Sequence, residues 1–148
     1  MIKELLLQKI ITLLDQRIEL VRIAIESAKE SRDNETKSSV GDKYETGRTL
    51  MQMEVEKNRI QLNKTENLKH ELLQIDTSKK STIVEFGSIV KTTQNNYFIS
   101  SALGKIEINN EIYYCISLAS PIGKLLHTKQ VGDQFSFQGK VNLINEVY

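Results

Sequence analysis

The chain predicts an α+β protein: an N-terminal antiparallel α-helical coiled-coil hairpin, then a small antiparallel β-sheet domain closed by one short helix. Three observations predict it. Apolar residues repeat at heptad spacing from Leu7 to Ala28, and the period changes to two after Asp76. The run Ser120-Pro121-Ile122-Gly123-Lys124-Leu125-Leu126 carries the helix signal of the second half, with a capping serine ahead of a proline that can open a helical turn.

In the first segment Leu7, Ile11, Leu14, Ile18, Val21, Ile25 and Ala28 alternate spacings of four and three, widened by Ile10, Leu13, Leu20 and Ala24. This predicts a helix from about residue 2 to about 32. From Ser31 to Gly41 the pattern gives way to Asp33, Asn34, Thr36, Ser38 and Ser39, where the chain can reverse. A second helix is expected from about Asp42 to Asp76 on a poorer stripe of Met51, Val55, Leu62 and Leu72, interrupted by Asn58, Thr65 and Lys69. Two such helices make a hairpin roughly 45 Å long. Its span is expected to be 1–76, with the tip at about 32–45.

Residues 77–81 read as a linker, and 82–148 as the sheet domain. Its strand-like runs are Thr82 to Phe86, Ser88 to Thr92, Tyr97 to Ser101, Lys105 to Ile108, Glu111 to Leu118, Phe135 to Phe137 and Lys140 to Val147. Asn109-Asn110 and Gly132-Asp133 mark turns between them.

Composition narrows the function. The 148 residues suit one or two small domains and favour a binding module over a multi-layer enzyme. With 20 basic and 19 acidic residues the net charge of +1 gives no global attraction to nucleic acid or anionic membrane, so any charged partner must meet a local patch. One cysteine, Cys115, rules out an internal disulfide and points to a reducing, cytoplasmic setting. A thiol nucleophile built from Cys115 with His127 or His70 lacks an oxyanion signature, these three residues do not form a zinc spacing, and no phosphate-binding glycine loop occurs.

The seven-residue run beginning at Ser120, followed by Val131-Gly132-Asp133 and a closing strand, resembles the C-terminal domain of the Gre transcript-cleavage factors, the GreA/GreB family; Phe86-Gly87-Ser88-Ile89-Val90 is similar to that domain's opening strand. The resemblance covers nearly the whole chain and implies a coiled-coil hairpin followed by an FKBP-like domain. It also implies a transcription elongation factor that binds the secondary channel of bacterial RNA polymerase; the leucine-rich first and polar-interrupted second helices argue for intramolecular pairing and so for a monomer. Such a factor stimulates the polymerase's intrinsic cleavage of backtracked RNA without being an enzyme itself. The FKBP-like fold alone carries no prolyl isomerase activity, and a chain with four Phe and no Trp supports an aromatic isomerase pocket poorly.

At the hairpin tip the family carries glycine-aspartate-x-x-glutamate-asparagine, and this chain has Gly41-Asp42-Lys43-Tyr44-Glu45-Thr46. The resemblance implies that Asp42 and Glu45 help hold a Mg²⁺ shared with the polymerase, with Asp33 and Glu35 as alternates. Magnesium takes oxygen ligands and keeps several waters, so one or two donated carboxylates suffice. The same Asp42 and Glu45 also read as an ordinary capping box. Lys37, Lys43, Tyr44 and Arg48, with Lys29 and Arg32 nearby, are candidate contacts to the RNA 3′ segment, or solvated helix charges. Ser120, Pro121 and Ile122 are the implied contacts to the channel rim, with packing of the short helix the other reading of Ile122. Thr46 in place of asparagine and a longer tip favour the alternative of a non-cleaving secondary-channel regulator that competes or inhibits; the family's alanine-glutamate-tyrosine continuation is also replaced, by Gly47-Arg48-Thr49. A structural coiled-coil dimerisation module is the third reading.

Overall fold

The computed structural model describes residues 2–38 and 42–148, with the side chains of 35–38 and 42–44 outside the described set. It divides into two compact units. One is helical, Ile11–His70; the other joins the start of the chain through Ile10 to Glu71–Tyr148.

Helix α1 (Ile2–Ser38) has 37 residues and helix α2 (Asp42–Leu73) has 32. The first runs further than the residue-32 end that the loss of apolar periodicity predicts. Ser31, Asp33, Asn34 and Thr36 are weak helix formers, yet each costs at most about 0.7 kcal/mol and none breaks a helix as Gly or Pro does. Arg32 Nη1 also donates to Gln52 Oε1 at 2.6 Å, tying the last turns of α1 to α2. The elements are separated by residues 39–41 alone.

In the helical unit the two helices run antiparallel: Asp15 meets Lys69 at 2.6 Å and Arg22 meets Glu66 at 3.0 Å, while Arg32 reaches Gln52. Ile25, Ala28 and Val55 form the buried cluster, flanked by Val21 and Leu62, so the heptad seam is consumed within the chain. The polar interruptions of the α2 seam are accommodated locally. Thr65 is buried but its hydroxyl donates to the Gln61 carbonyl at 2.9 Å, and Lys69 is neutralised by Asp15.

The second unit holds β1 (Ile89–Thr92), β2 (Asn96–Ile99), β3 (Gly104–Ile108), β4 (Glu111–Ile116), α3 (Pro121–Leu126), β5 (Gln134–Phe137) and β6 (Lys140–Val147), in the sheet order β3-β4-β2-β1-β6-β5. Two hairpins close on two-residue turns with both residues at positive φ, Asn109-Asn110 and Gln138-Gly139, the type I′ geometry that matches strand twist. The sheet departs from the antiparallel expectation at its centre, where β2 and β4 pair in parallel. The chain leaves β2, forms edge strand β3, and returns as β4 between them, so the two consecutive reversals align β4 with β2. The expected strand at Thr82 to Phe86 is also replaced, by a single bridge between Ile83 and Gln130.

Both faces of the central strands are buried. On one, Val90, Tyr97, Ile99, Phe135 and Ile144 pack with Ile122 and Leu126 of α3. On the other, Ile89, Phe98, Tyr113 and Cys115 are buried. The first turns of α1 belong to this unit; Leu6 and Ile10 are fully buried, and Lys9 Nζ donates to the Glu107 carbonyl of β3 at 3.0 Å. Replacing Ile144 with Ala should therefore cost about 2–5 kcal/mol in urea unfolding. Ile60→Ala, at 57% exposure on α2, should stay within about 0.5 kcal/mol.

Candidate functional site

The acidic end of the hairpin is assembled from the start of α2. Glu45 lies in its first turn, exposed, three residues after Asp42, which opens the helix. A carboxylate in a first turn sits favourably against the positive end of the helix dipole, and exposure leaves it available to a partner. The side chains of Asp42, Lys43, Tyr44, Glu35 and Lys37 lie outside the described residues. Thr46 and Arg48 are exposed.

The alternates on α1 stand differently. Asp33 accepts from Arg32 Nε at 3.1 Å, and the same guanidinium bonds Gln52, so this acidic residue is part of a helix-pairing network. Lys29 pairs with Glu26 at 3.3 Å one turn earlier. Of the basic candidates whose side chains are described, Lys29 and Arg32 thus have protein carboxylates beside them. Among the described residues no group of three or more His, Cys, Asp or Glu could hold a metal ion by itself. A lone exposed carboxylate such as Glu45 fits magnesium only as one ligand contributed to a site completed elsewhere.

At the other candidate surface the Ser120 motif resolves into a folding device. Ser120 Oγ accepts from Gly123 N at 3.0 Å, capping α3, and donates to the Ser117 carbonyl at 2.7 Å. Gly123 is required by close approach: a Cβ there would lie 2.0 Å from the Ser117 oxygen and 2.9 Å from Leu118 Cα. Ile122 is 7% exposed and packs into the core beside Leu126, whereas Pro121 and Leu125 face outward. Packing is therefore the main role of Ile122, and Pro121 is the residue of the expected trio open to contact. The Gly132-Asp133 turn locks this end to β6, with Gly132 N donating to Ile144 O at 2.9 Å and Asp133 Oδ2 accepting from Gln130 N at 2.8 Å.

Sequence reasoning missed a polar network on the face opposite α3. Lys91 lies between Glu111, at 3.2 Å, and Glu146, at 3.9 Å; Tyr113 donates to Glu111 at 2.8 Å and Tyr148 to Glu146 at 2.6 Å. The Tyr113 hydroxyl bond, and then Lys91, hold the Glu111 carboxyl below its ordinary range. Alternating polar residues signal a strand face, but the register that brings Lys91 opposite Glu146 arises from pairing between distant segments. Cys115, deep in this face, has its thiol pushed up to about 11 by burial and stays protonated at neutral pH.

The class defined by fold and site is an α+β protein with an antiparallel helical pair, an exposed acidic residue in the first turn of its second helix, and a separate six-stranded sheet. No protein-family model and no curated protein matches the chain. None of the helices among the described residues is long and apolar enough to cross a membrane.

Two outcomes are expected. Gly123→Ala should destabilise by about 1–3 kcal/mol or more through forced backbone shifts, exceeding the roughly 1 kcal/mol cost of removing the cap in Ser120→Ala, both read by urea unfolding. For Glu111 the folded-state carboxyl is lowered, so its contribution is complete above the unfolded value near 4.3 and is lost as pH falls through the folded value. Thermal melts should accordingly fall less steeply below about pH 4 in Glu111→Gln than in the parent chain.

Proposed function

We propose that the chain is an accessory factor of bacterial RNA polymerase, similar to the Gre factors. Its hairpin enters the secondary channel and stimulates the polymerase's own cleavage of backtracked RNA, rescuing arrested elongation. The observation that supports this reading is that Asp42 and Glu45 open α2, the second of two long antiparallel helices. A narrow helical pair can reach into a channel, and carboxylates at its reversal are the groups it would deliver.

In this reading Asp42 and Glu45 contribute oxygen ligands to Mg²⁺ shared with the polymerase. The ion would supply charge neutralisation at the phosphodiester oxygens and an activated water. In the same reading Arg48, Lys37, Lys43 and Tyr44 contact the RNA 3′ segment. Pro121, with Ser120 holding the turn beneath it, is the contact to the channel rim, and cleavage chemistry stays with the polymerase. The factor acts in the cytoplasm as a monomer, which agrees with a heptad seam consumed between α1 and α2.

Thr46, exposed where the Gre pattern has asparagine, supports the second reading of a non-cleaving regulator that occupies the same channel. One assay separates the two. Added to a backtracked elongation complex with magnesium, the parent chain should shorten the RNA, and Asp42→Ala with Glu45→Ala should slow that cleavage by about 100-fold, on the order of 2.7 kcal/mol of lost stabilisation, with polymerase binding retained. Binding without any shortening by the parent chain would assign it to the second reading; absence of binding would overturn both.

A further inference from the structure

A cavity of about 360 Å³ lies in the sheet-bearing unit, within the size range of small-molecule sites. Its apolar lining comes from Ile2 at the start of α1, Ile89 of β1 and Tyr148; Thr77 adds a hydroxyl. Its charged side chains are all cationic: Lys3, Lys79, Lys80 and Lys91.

Two of those four charges are already answered. Lys79 pairs with Glu85 at 2.6 Å, and Lys91 with Glu111 and Glu146. Lys3 and Lys80 have no carboxylate within ion-pair distance among the described residues. Lys3 is the more demanding of the two, being only 6% exposed, and its Nζ donates to one neutral acceptor, the Lys79 carbonyl, at 2.9 Å. An ammonium has three donors, and holding one largely out of water against a single carbonyl carries a desolvation cost that the nearby Glu85 and Asp76 offset only in part. Burial accordingly lowers the Lys3 pKa, against the raising influence of Glu85 and Asp76. An anion entering from the cavity would offset that cost, and an apolar wall ending in a tyrosine ring suits a flat body attached to the anion.

We infer that this cavity binds a small organic phosphate, a flat ring bearing one or two phosphate groups. The phosphate is held by Lys3 and Lys80, and the ring lies against Ile2, Ile89 and Tyr148. Charge and ring are both required. Inorganic phosphate lacks the apolar contact, and a neutral nucleoside lacks the anion that would fill the remaining Lys3 donors. The inference does not depend on the polymerase reading, since the binding is measured on the chain alone.

The test is isothermal titration of the full chain at low ionic strength with ADP, adenosine and inorganic phosphate as separate probes. ADP should bind saturably at one site, at least 10-fold more tightly than either other probe. Lys80→Gln and Lys3→Met should each weaken ADP at least five-fold. Because Lys3→Met alters a buried position, its fold is checked by circular dichroism. If that variant unfolds, Lys80→Gln decides, together with ADP-induced amide shifts expected at residues 77–80, 89 and 91. Equal binding of ADP and adenosine, ADP affinity unchanged in Lys80→Gln, or shifts located elsewhere would each overturn the inference.

Discussion

The central strands β2 and β4 are apolar on both faces, and that constraint organises the rest of the sheet-bearing unit. A sheet of this kind has no face to turn to water, so each must be covered by another element. Helix α3 covers one face, and its six residues suffice because Gly123 lets it settle onto the preceding turn. On the opposite side the first turns of α1 belong to the same compact unit as the sheet: Ile2 and Lys3 line a cavity beside Ile89 and Lys91, and Lys9 is bonded to β3. Leu6 and Ile10, buried there, replace Leu7 and Ile11 of the heptad stripe as the most enclosed positions. The helix therefore serves two cores in succession.

How much was legible follows from the range of the interactions involved. Short-range signals translated directly: Ser120 and Pro121 set the start of α3, and Asn109-Asn110 formed the tight turn that their tolerance of positive φ allows. The heptad stripe announced a packed helix, and Ile25, Ala28 and Val55 carry it out. Long-range relations were opaque. A period of two identifies a strand but is silent on its neighbour, so the parallel pairing of β2 with β4 could not be read from Tyr97 to Ser101 or Glu111 to Leu118. Weak helix formers after Ser31 looked like a loop because the contact that extends the helix, Arg32 to Gln52, joins positions twenty residues apart.

The candidate site divides the same way. Glu45 in a helix's first turn was readable from local spacing, and so was the cap at Ser120. The pairing of Asp33 with Arg32 separates it from Glu45 in character, since an acidic residue engaged in holding two helices together is less free to serve a partner. Lys3 gave no sequence signal at all. A lysine in the first turn of an amphipathic helix reads as a solvated charge, and only the fold reveals that linker and sheet close over it.

One bond described above bears on how the protein behaves in a crowded solution. Strand β3 is a free edge of the sheet, and Glu107 sits at a position in the β3–β4 hairpin where the backbone groups point away from the partner strand. Such outward carbonyls invite strand addition by another chain. Here the Glu107 carbonyl is already engaged by Lys9, while Lys105 and Glu107 place exposed side chains along the same strand. An incoming strand would have to displace an ammonium from its acceptor and bring its own side chains beside two charges. The edge is thereby finished with a side chain, and protection against edge-to-edge aggregation is built from the first three turns of the chain.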